Sequence, residues 1–265
     1  MASTLRVALD LLARPERHRY GPHRPQVADL YMPAGQGPHP VAVTIHGGSW
    51  SAAYGRFYSK AIAVDLARRG MAAWNIEYRR LGRWQGGGWP ATFDDVAAAI
   101  DHLAEMDDAR LDLERVAAAG HSAGGQLALW AAVRESPRVA IHRVVAMAAV
   151  CNMAAAGKPA HALLGGAPDE VPERYAAADP MRLLPLGVPT LLVHGAADET
   201  VPVERSRRYA EAAHAAGDEV ELVEPAPGGH MIHIDSRSGA WRAAAEWLTG
   251  AGAESLPSVE TQPAP

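Results

Sequence analysis

The chain has 265 residues, 48% of them hydrophobic and 21% charged, with a formal net charge of -5. That length and apolar content suffice for a sizeable buried core, and α/β architectures of this size often form one unit. The acidic balance argues against a nucleic-acid binder, and the single cysteine, Cys151, excludes an intrachain disulfide. Residues 1–21 lack a signal-peptide pattern, because their apolar stretch is short and broken by Asp10. No run approaches the ~18 apolar residues of a membrane span. A soluble cytoplasmic protein without membrane or nucleic-acid partners is expected.

In chain order, apolar runs alternate with helical patterns. Residues 41–45 (VAVTI) and 71–76 (MAAWNI) read as buried strands, and 116–119 as a weaker, alanine-rich one. Residues 144–150, 190–193 and 220–223 complete the set. Continuous rather than alternating apolarity suits strands covered on both faces. After Pro90, Thr92 and Asp95 read as a variant capping box, with Val96, Ile100 and Leu103 on one helical face. Residues 202–216 form a helical pattern with proline at its start and Gly217 beyond, and 241–248 form another, stopped by Gly250. The alternation implies a mostly parallel sheet with helices on both faces. Residues 250–265, rich in Ala, Gly, Ser and Pro, read as a disordered tail.

Gly120-His121-Ser122-Ala123-Gly124 matches G-x-S-x-G. A random chain of this composition holds roughly 0.1 such matches, so context must carry the argument. The motif directly follows a strand pattern and directly precedes a helical one, the setting a nucleophile elbow requires. An elbow puts the serine hydroxyl at a helix N-terminus, whose partial positive charge favours developing negative charge. Ser122 is the expected nucleophile. A tetrahedral oxyanion needs two backbone N–H donors: one from Ala123, and one from the His46-Gly47-Gly48-Ser49-Trp50 loop after strand 41–45. Gly48 is the expected second donor, with Gly47 and Ser49 as alternatives.

Asp198 follows the strand at 190–193, at the sheet edge where such folds present site residues. It is preferred over Glu199 as the acid that orients the base. After the last strand come Gly228-Gly229-His230 and then His233. His230 is the expected general base, since two glycines let its loop project over the sheet edge; His233 is expected to pack nearby. Twelve histidines raise the question of a metal, but no H-E-x-x-H or zinc-spaced cluster is present, and no metal or cofactor is expected. The long connection 152–185 reads as a small cap near the pocket. The Gly-rich 83–89 stretch reads either as a plain loop or as a mobile pocket wall.

With residues 46–50, Glu77-Tyr78-Arg79, 120–125, Asp198 and His230, the chain resembles the esterase/lipase and kynurenine-formamidase-like branch of the α/β-hydrolase superfamily. It is also similar to the catalytic domain of the prolyl-oligopeptidase (S9) group. The resemblance runs from about residue 20 to 248. It implies an eight-stranded, mostly parallel sheet in a single domain over 1–249, and a Ser122–Asp198–His230 triad without cofactor. The expected activity is hydrolysis of small esters. Arylformamidase activity is the alternative, and a peptidase or a non-catalytic binding protein on the same scaffold ranks lower.

Overall fold

The computed structural model describes residues 13–225 and 228–250; of the tail expected over 250–265, residues 251–265 lie outside the described residues. Eight strands form one sheet: β1 (Glu16–Arg19), β2 (Val27–Tyr31), β3 (His39–Ile45), β4 (Ala72–Ile76), β5 (Leu111–His121), β6 (Arg143–Met147), β7 (Thr190–Val193) and β8 (Val220–Val223). Their order is β1-β2-β4-β3-β5-β6-β7-β8. From β4 through β8 neighbours run parallel; only the pairs β1–β2 and β2–β4 are antiparallel.

The six strands read from apolar runs all form. Successive side chains point to opposite faces, so each run feeds two cores at once. Val41, Val43 and Ile45 face one core, with Trp74, Val144 and Leu192. Ala42, Ala73, Val145 and Val193 face the other. The first core is closed by α2 (Ala91–Glu105), α3 (Ala123–Ala132) and α6 (Glu204–Ala215), which contribute Phe93, Leu127 and Tyr209. The second is closed by α1 (Lys60–Arg68) and α7 (Gly239–Thr249), which contribute Leu66 and Trp241. Trp241 Nε1 also donates to Asp65 Oδ2 at 2.9 Å, tying the last helix to the first.

The capping box expected at Thr92 and Asp95 does not form. Pro90 occupies the N-cap of α2 and no side chain caps it. Thr92 Oγ1 instead donates to the Arg79 carbonyl at 2.7 Å and accepts from the Gly88 amide at 3.0 Å. Asp95 accepts from Arg79 Nη2 (2.7 Å), the Arg79 amide (2.8 Å) and Gln26 Nε2 (2.7 Å). Both side chains turn to the segment after β4, where a largely buried guanidinium needs a carboxylate more than a helix end needs a cap.

The 152–185 connection holds α4 (Lys158–Leu164) and α5 (Pro172–Ala178). Leu163, Leu164, Tyr175 and Ala178 join the same core as Leu127 of α3, and Gln126 Nε2 donates to the Ala178 carbonyl at 2.9 Å. Among the described residues no helix is long and apolar enough to cross a membrane.

Candidate active site

The turn between β5 and α3 is one residue long. Ser122 adopts φ 55 and ψ -117, a region that L-residues rarely occupy and that costs energy to hold. Four main-chain bonds hold it, one of them from the Gln126 amide to its carbonyl at 3.2 Å. Its amide donates to the Met147 carbonyl at 2.8 Å, and its carbonyl accepts from the amides of Gly125 (3.0 Å) and Val150 (3.2 Å). The turn also needs backbones in contact. A Cβ at Gly124 would sit 2.1 Å from the Ile45 carbonyl oxygen, and one at Gly120 would sit 2.0 Å from that of Gly124. Ala123 opens α3, so its amide is one of those with no acceptor four residues back.

The loop after β3 is wound tightly. Gly48, Ser49 and Trp50 all have positive φ, at 111, 52 and 55. The loop is pinned from two sides. Trp50 Nε1 donates to Gln126 Oε1 of α3 at 3.2 Å, and His46 Nε2 donates to Glu77 Oε1 at 2.8 Å. Tyr78 stacks on His46 with ring centroids 4.4 Å apart and donates its hydroxyl to the His46 carbonyl at 2.9 Å. Burial by itself would raise the Glu77 carboxyl; the His46 hydrogen bond and charge, Arg80 and the Arg56 amide outweigh it and hold Glu77 below the usual range. In the sequence Glu77 reads only as part of the Glu77-Tyr78-Arg79 motif; its hold on His46 is visible only in the fold.

Asp198 lies in the loop after β7. Its Oδ1 accepts from the amides of Thr200 (2.8 Å) and Val201 (2.9 Å), and its Oδ2 accepts from His230 Nδ1 at 2.7 Å. Burial pushes its carboxyl up, but the Val201 amide and His230 more than offset this, so the group stays ionised below the usual carboxylate range. His194 Nε2 lies 3.3 Å from the same Oδ2 but donates to the Val201 carbonyl at 2.8 Å, and its Nδ1 accepts from the Ser206 hydroxyl at 2.7 Å. Glu199 is exposed.

Because the Nδ1–H of His230 donates to Asp198, Nε2 is the ring nitrogen that this hydrogen bond leaves available as an acceptor. His230 and Ser122 line one cavity of about 210 Å³. Among the described residues no hydrogen bond joins their side chains. Gly47, Gly48 and Ser49 line the same cavity, as do Tyr54, Tyr58 and Ser59, with Met231 and Ile234 opposite. None of the lining residues comes from 152–185 or from 83–89. Trp84 in the latter is 88% exposed, and Trp89 donates its amide to the Leu163 carbonyl, so 83–89 is not a wall of this cavity. A larger cavity, about 290 Å³, opens at the opposite ends of the strands among Arg69, Arg115 and Arg143 and is lined by no serine, cysteine or histidine.

His233 is fully buried behind the site. Its Nε2 accepts from the Gly195 amide at 3.4 Å, so its proton is on Nδ1, which meets no protein acceptor. Burial first, then repulsion from His121, His194 and His230, pushes it down to about 3. Among the described residues, no group of three or more His, Cys, Asp or Glu side chains converges to hold a metal.

A sheet in this order, with a serine on a one-residue strand-to-helix turn at its centre, defines an α/β-hydrolase. Within that class the chain belongs to the BD-FAE family, whose model matches residues 28–212. It is 26% identical over 242 residues to esterase LipC of Mycobacterium tuberculosis (strain ATCC 25618 / H37Rv). That match covers 81% of this chain and 59% of LipC, so the chain spans less than two thirds of that relative. Among solved structures it superposes on a truncated carbohydrate esterase from gut microbiota with a TM-score of 0.78 at 21% identity, covering 89% of this chain and 95% of that one. Esterase 2 of Thermogutta terrifontis, phosphonylated by sarin, gives 0.76 at 23% identity, with 91% and 94% covered. At these identities the superpositions speak to the fold.

Proposed function

We propose that this protein is a serine hydrolase that cleaves small carboxylic esters through an acyl-enzyme. One observation carries the reading: Asp198 fixes His230 Nδ1 at 2.7 Å while Ser122, on its strained turn, lines the same cavity as His230. In this reading His230 Nε2 takes the Ser122 proton as Oγ attacks the ester carbonyl carbon. The Ala123 amide and that of Gly48, or of Gly47 or Ser49 beside it, receive the oxyanion, each donor worth about 3–4 kcal/mol. The oxyanion collapses, the alcohol leaves with the proton from His230, and the acyl group stays on Ser122. Water then enters, gives a proton to His230, attacks the acyl carbonyl and releases the acid, returning the proton to Ser122. Asp198 keeps the imidazole tautomer and stabilises the imidazolium in both halves.

The domain reading follows: residues 1–249 work as one hydrolase unit in which 152–185 is an insertion that braces α3 through Gln126. LipC is named as an esterase, and the Thermogutta esterase is phosphonylated by sarin; both support the ester-hydrolase reading.

The test is labelling by a fluorophosphonate probe. Labelling is expected in the parent, absent in Ser122→Ala, strongly reduced in His230→Ala and little changed in His233→Ala. Hydrolysis of p-nitrophenyl acetate, butyrate and octanoate is set against N-formylkynurenine. Activity surviving Ser122→Ala sinks the mechanism, and a much higher kcat/KM for the formamide replaces the ester with an aryl formamide as substrate.

A further inference from the structure

His46, at the start of the loop after β3, has an acceptor on each ring nitrogen. Nδ1 lies 2.8 Å from the Gly47 carbonyl oxygen, and Nε2 lies 2.8 Å from Glu77 Oε1. A carbonyl only accepts, so Nδ1 carries a proton. Glu77 is an acceptor too. Its Oε2 takes the Arg56 amide at 3.1 Å, its Oε1 takes the Tyr78 amide at 3.2 Å, and Arg80 Nε lies 3.4 Å from Oε1. These donors keep the carboxyl ionised, so Nε2 carries a proton as well. An imidazole with protons on both nitrogens is a cation. The ring is buried with Tyr78 stacked on it, and it lines the same cavity as Ser122.

The same ring sets a peptide plane. In a trans peptide the C=O and N–H point in opposite directions, so a bond that fixes the Gly47 carbonyl also fixes the Gly48 amide. The peptides on either side are held in the same way. The His46 carbonyl takes the Tyr78 hydroxyl at 2.9 Å, and the Gly48 carbonyl takes the Ser51 amide at 2.9 Å. Only the middle carbonyl is held by a side chain that also bears charge. We infer that His46 is held as an imidazolium and is the positioning residue of the oxyanion hole, aiming and polarising the Gly48 amide. The inference rests on the serine-hydrolase reading above and deepens it, because it selects Gly48 over Gly47 and Ser49 as the second donor. A donor at the end of a polarised hydrogen-bond chain is strengthened. A fixed positive charge beside it favours the oxygen that becomes negative as Ser122 attacks, more than the neutral ester carbonyl that precedes it.

The charge is read without turnover, from the ring-nitrogen NMR signals of the histidine-labelled protein at pH 7. The signals missing from His46→Asn belong to His46, and both of its nitrogens should report as protonated. One bare nitrogen overturns the charge. Positioning is read with p-nitrophenyl butyrate. His46→Leu releases the Gly47 carbonyl and should lower kcat by roughly 10²-fold with KM nearly unchanged, the scale of one lost oxyanion donor. Inhibition by an alkyl trifluoromethyl ketone, whose adduct with Ser122 bears an oxyanion, should weaken by a similar factor. Poor folding would instead lower the number of active sites and leave the ketone affinity of the remaining ones as it was. His46→Asn places an amide N–H where Nδ1 stood and should recover part of both losses. Parental kcat and ketone affinity in His46→Leu, or a loss that lies wholly in KM, overturns the positioning role. Activity surviving Ser122→Ala would sink the hydrolase reading yet leave the ring signals unchanged, so the two failures are distinguishable.

Discussion

His121 Nε2 donates a 2.8 Å hydrogen bond to the main-chain carbonyl of His230. The residue beside Ser122 thereby holds the loop that carries His230, with the two rings 4.6 Å apart. Since a carbonyl only accepts, the proton is on Nε2 of His121. Burial first, and then repulsion from His230, pushes its pKa down to about 4, so the ring is neutral near pH 7. His121→Leu removes the tie, and steady-state kinetics should show kcat falling by up to about 10²-fold with KM moved far less, since a small displacement of a reacting group is that costly. His121→Gln keeps an N–H donor and should recover much of the loss. Equal kcat in the parent and the leucine variant would show that the bond does not position His230.

Acid should destabilise the protein through buried histidines. His121 and His233 titrate at about 4 and about 3 when folded, against an ordinary value of 6.5. Well above pH 6.5 both are neutral in either state, so nothing is lost there. Below it the unfolded chain binds protons that the folded protein refuses, and stability falls until the folded values are reached. The slope is at most about 1.4 kcal/mol per pH unit per histidine. His194 and His230 add repulsion around His233, and Asp198 opposes it. Urea midpoints at pH 7, 5.5 and 4.5 measure the slope, which should be shallower in His233→Leu by up to one proton.

Asp95 distinguishes a cap from an ion pair by magnitude. Losing a helix cap costs about 1 kcal/mol. Removing one partner of a buried pair costs about 3–5 kcal/mol, because the other charge is stranded. Asp95 is fully buried against Arg79 and Gln26. Asp95→Ala should therefore lower stability by the larger amount in chemical denaturation, and the double variant with Arg79→Met should recover part of it.

Gly124→Ala tests the elbow. The added methyl would meet the carbonyl oxygens of Ile45 and His46 at 2.1 and 2.5 Å, and neither backbone can retreat without parting β3 from α3. Loss of probe labelling together with a markedly lowered melting temperature is expected; a fully labelled, stable variant would show that the elbow is looser than drawn.

What the sequence revealed follows from how local each signal is. The Ser122 turn is legible because contacts with neighbouring backbone force glycine at 120 and 124, and that demand is written within five residues. Strands β3 to β7 are legible because burial on both faces leaves little room for polar residues in their cores; Thr44 and Asn75 are admitted there by pairing with each other at 3.0 Å. β1 is charged and mostly exposed at the sheet edge, and its neighbour β2 is only five residues long with Asp29 inside it, so neither stood out. Asp29 is tolerated there because Arg17 and Arg56 pair with it at 2.7 and 2.8 Å. Thr92 and Asp95 misled because the spacing of a capping box says nothing of a guanidinium arriving from the end of β4.

The bond between His121 and His230 joins residues 109 positions apart in the chain, and the loops around it follow β3, β5, β7 and β8. No contiguous half of the chain contains all of them. Parallel strands of this kind pair late, since long loops must close before any contact repays the lost entropy. Under the proposed mechanism, probe labelling of Ser122 during refolding is expected to return only once β3, β5, β7 and β8 are all in register. A refolding protein can regain most of its helix signal while still being unable to take a phosphonate.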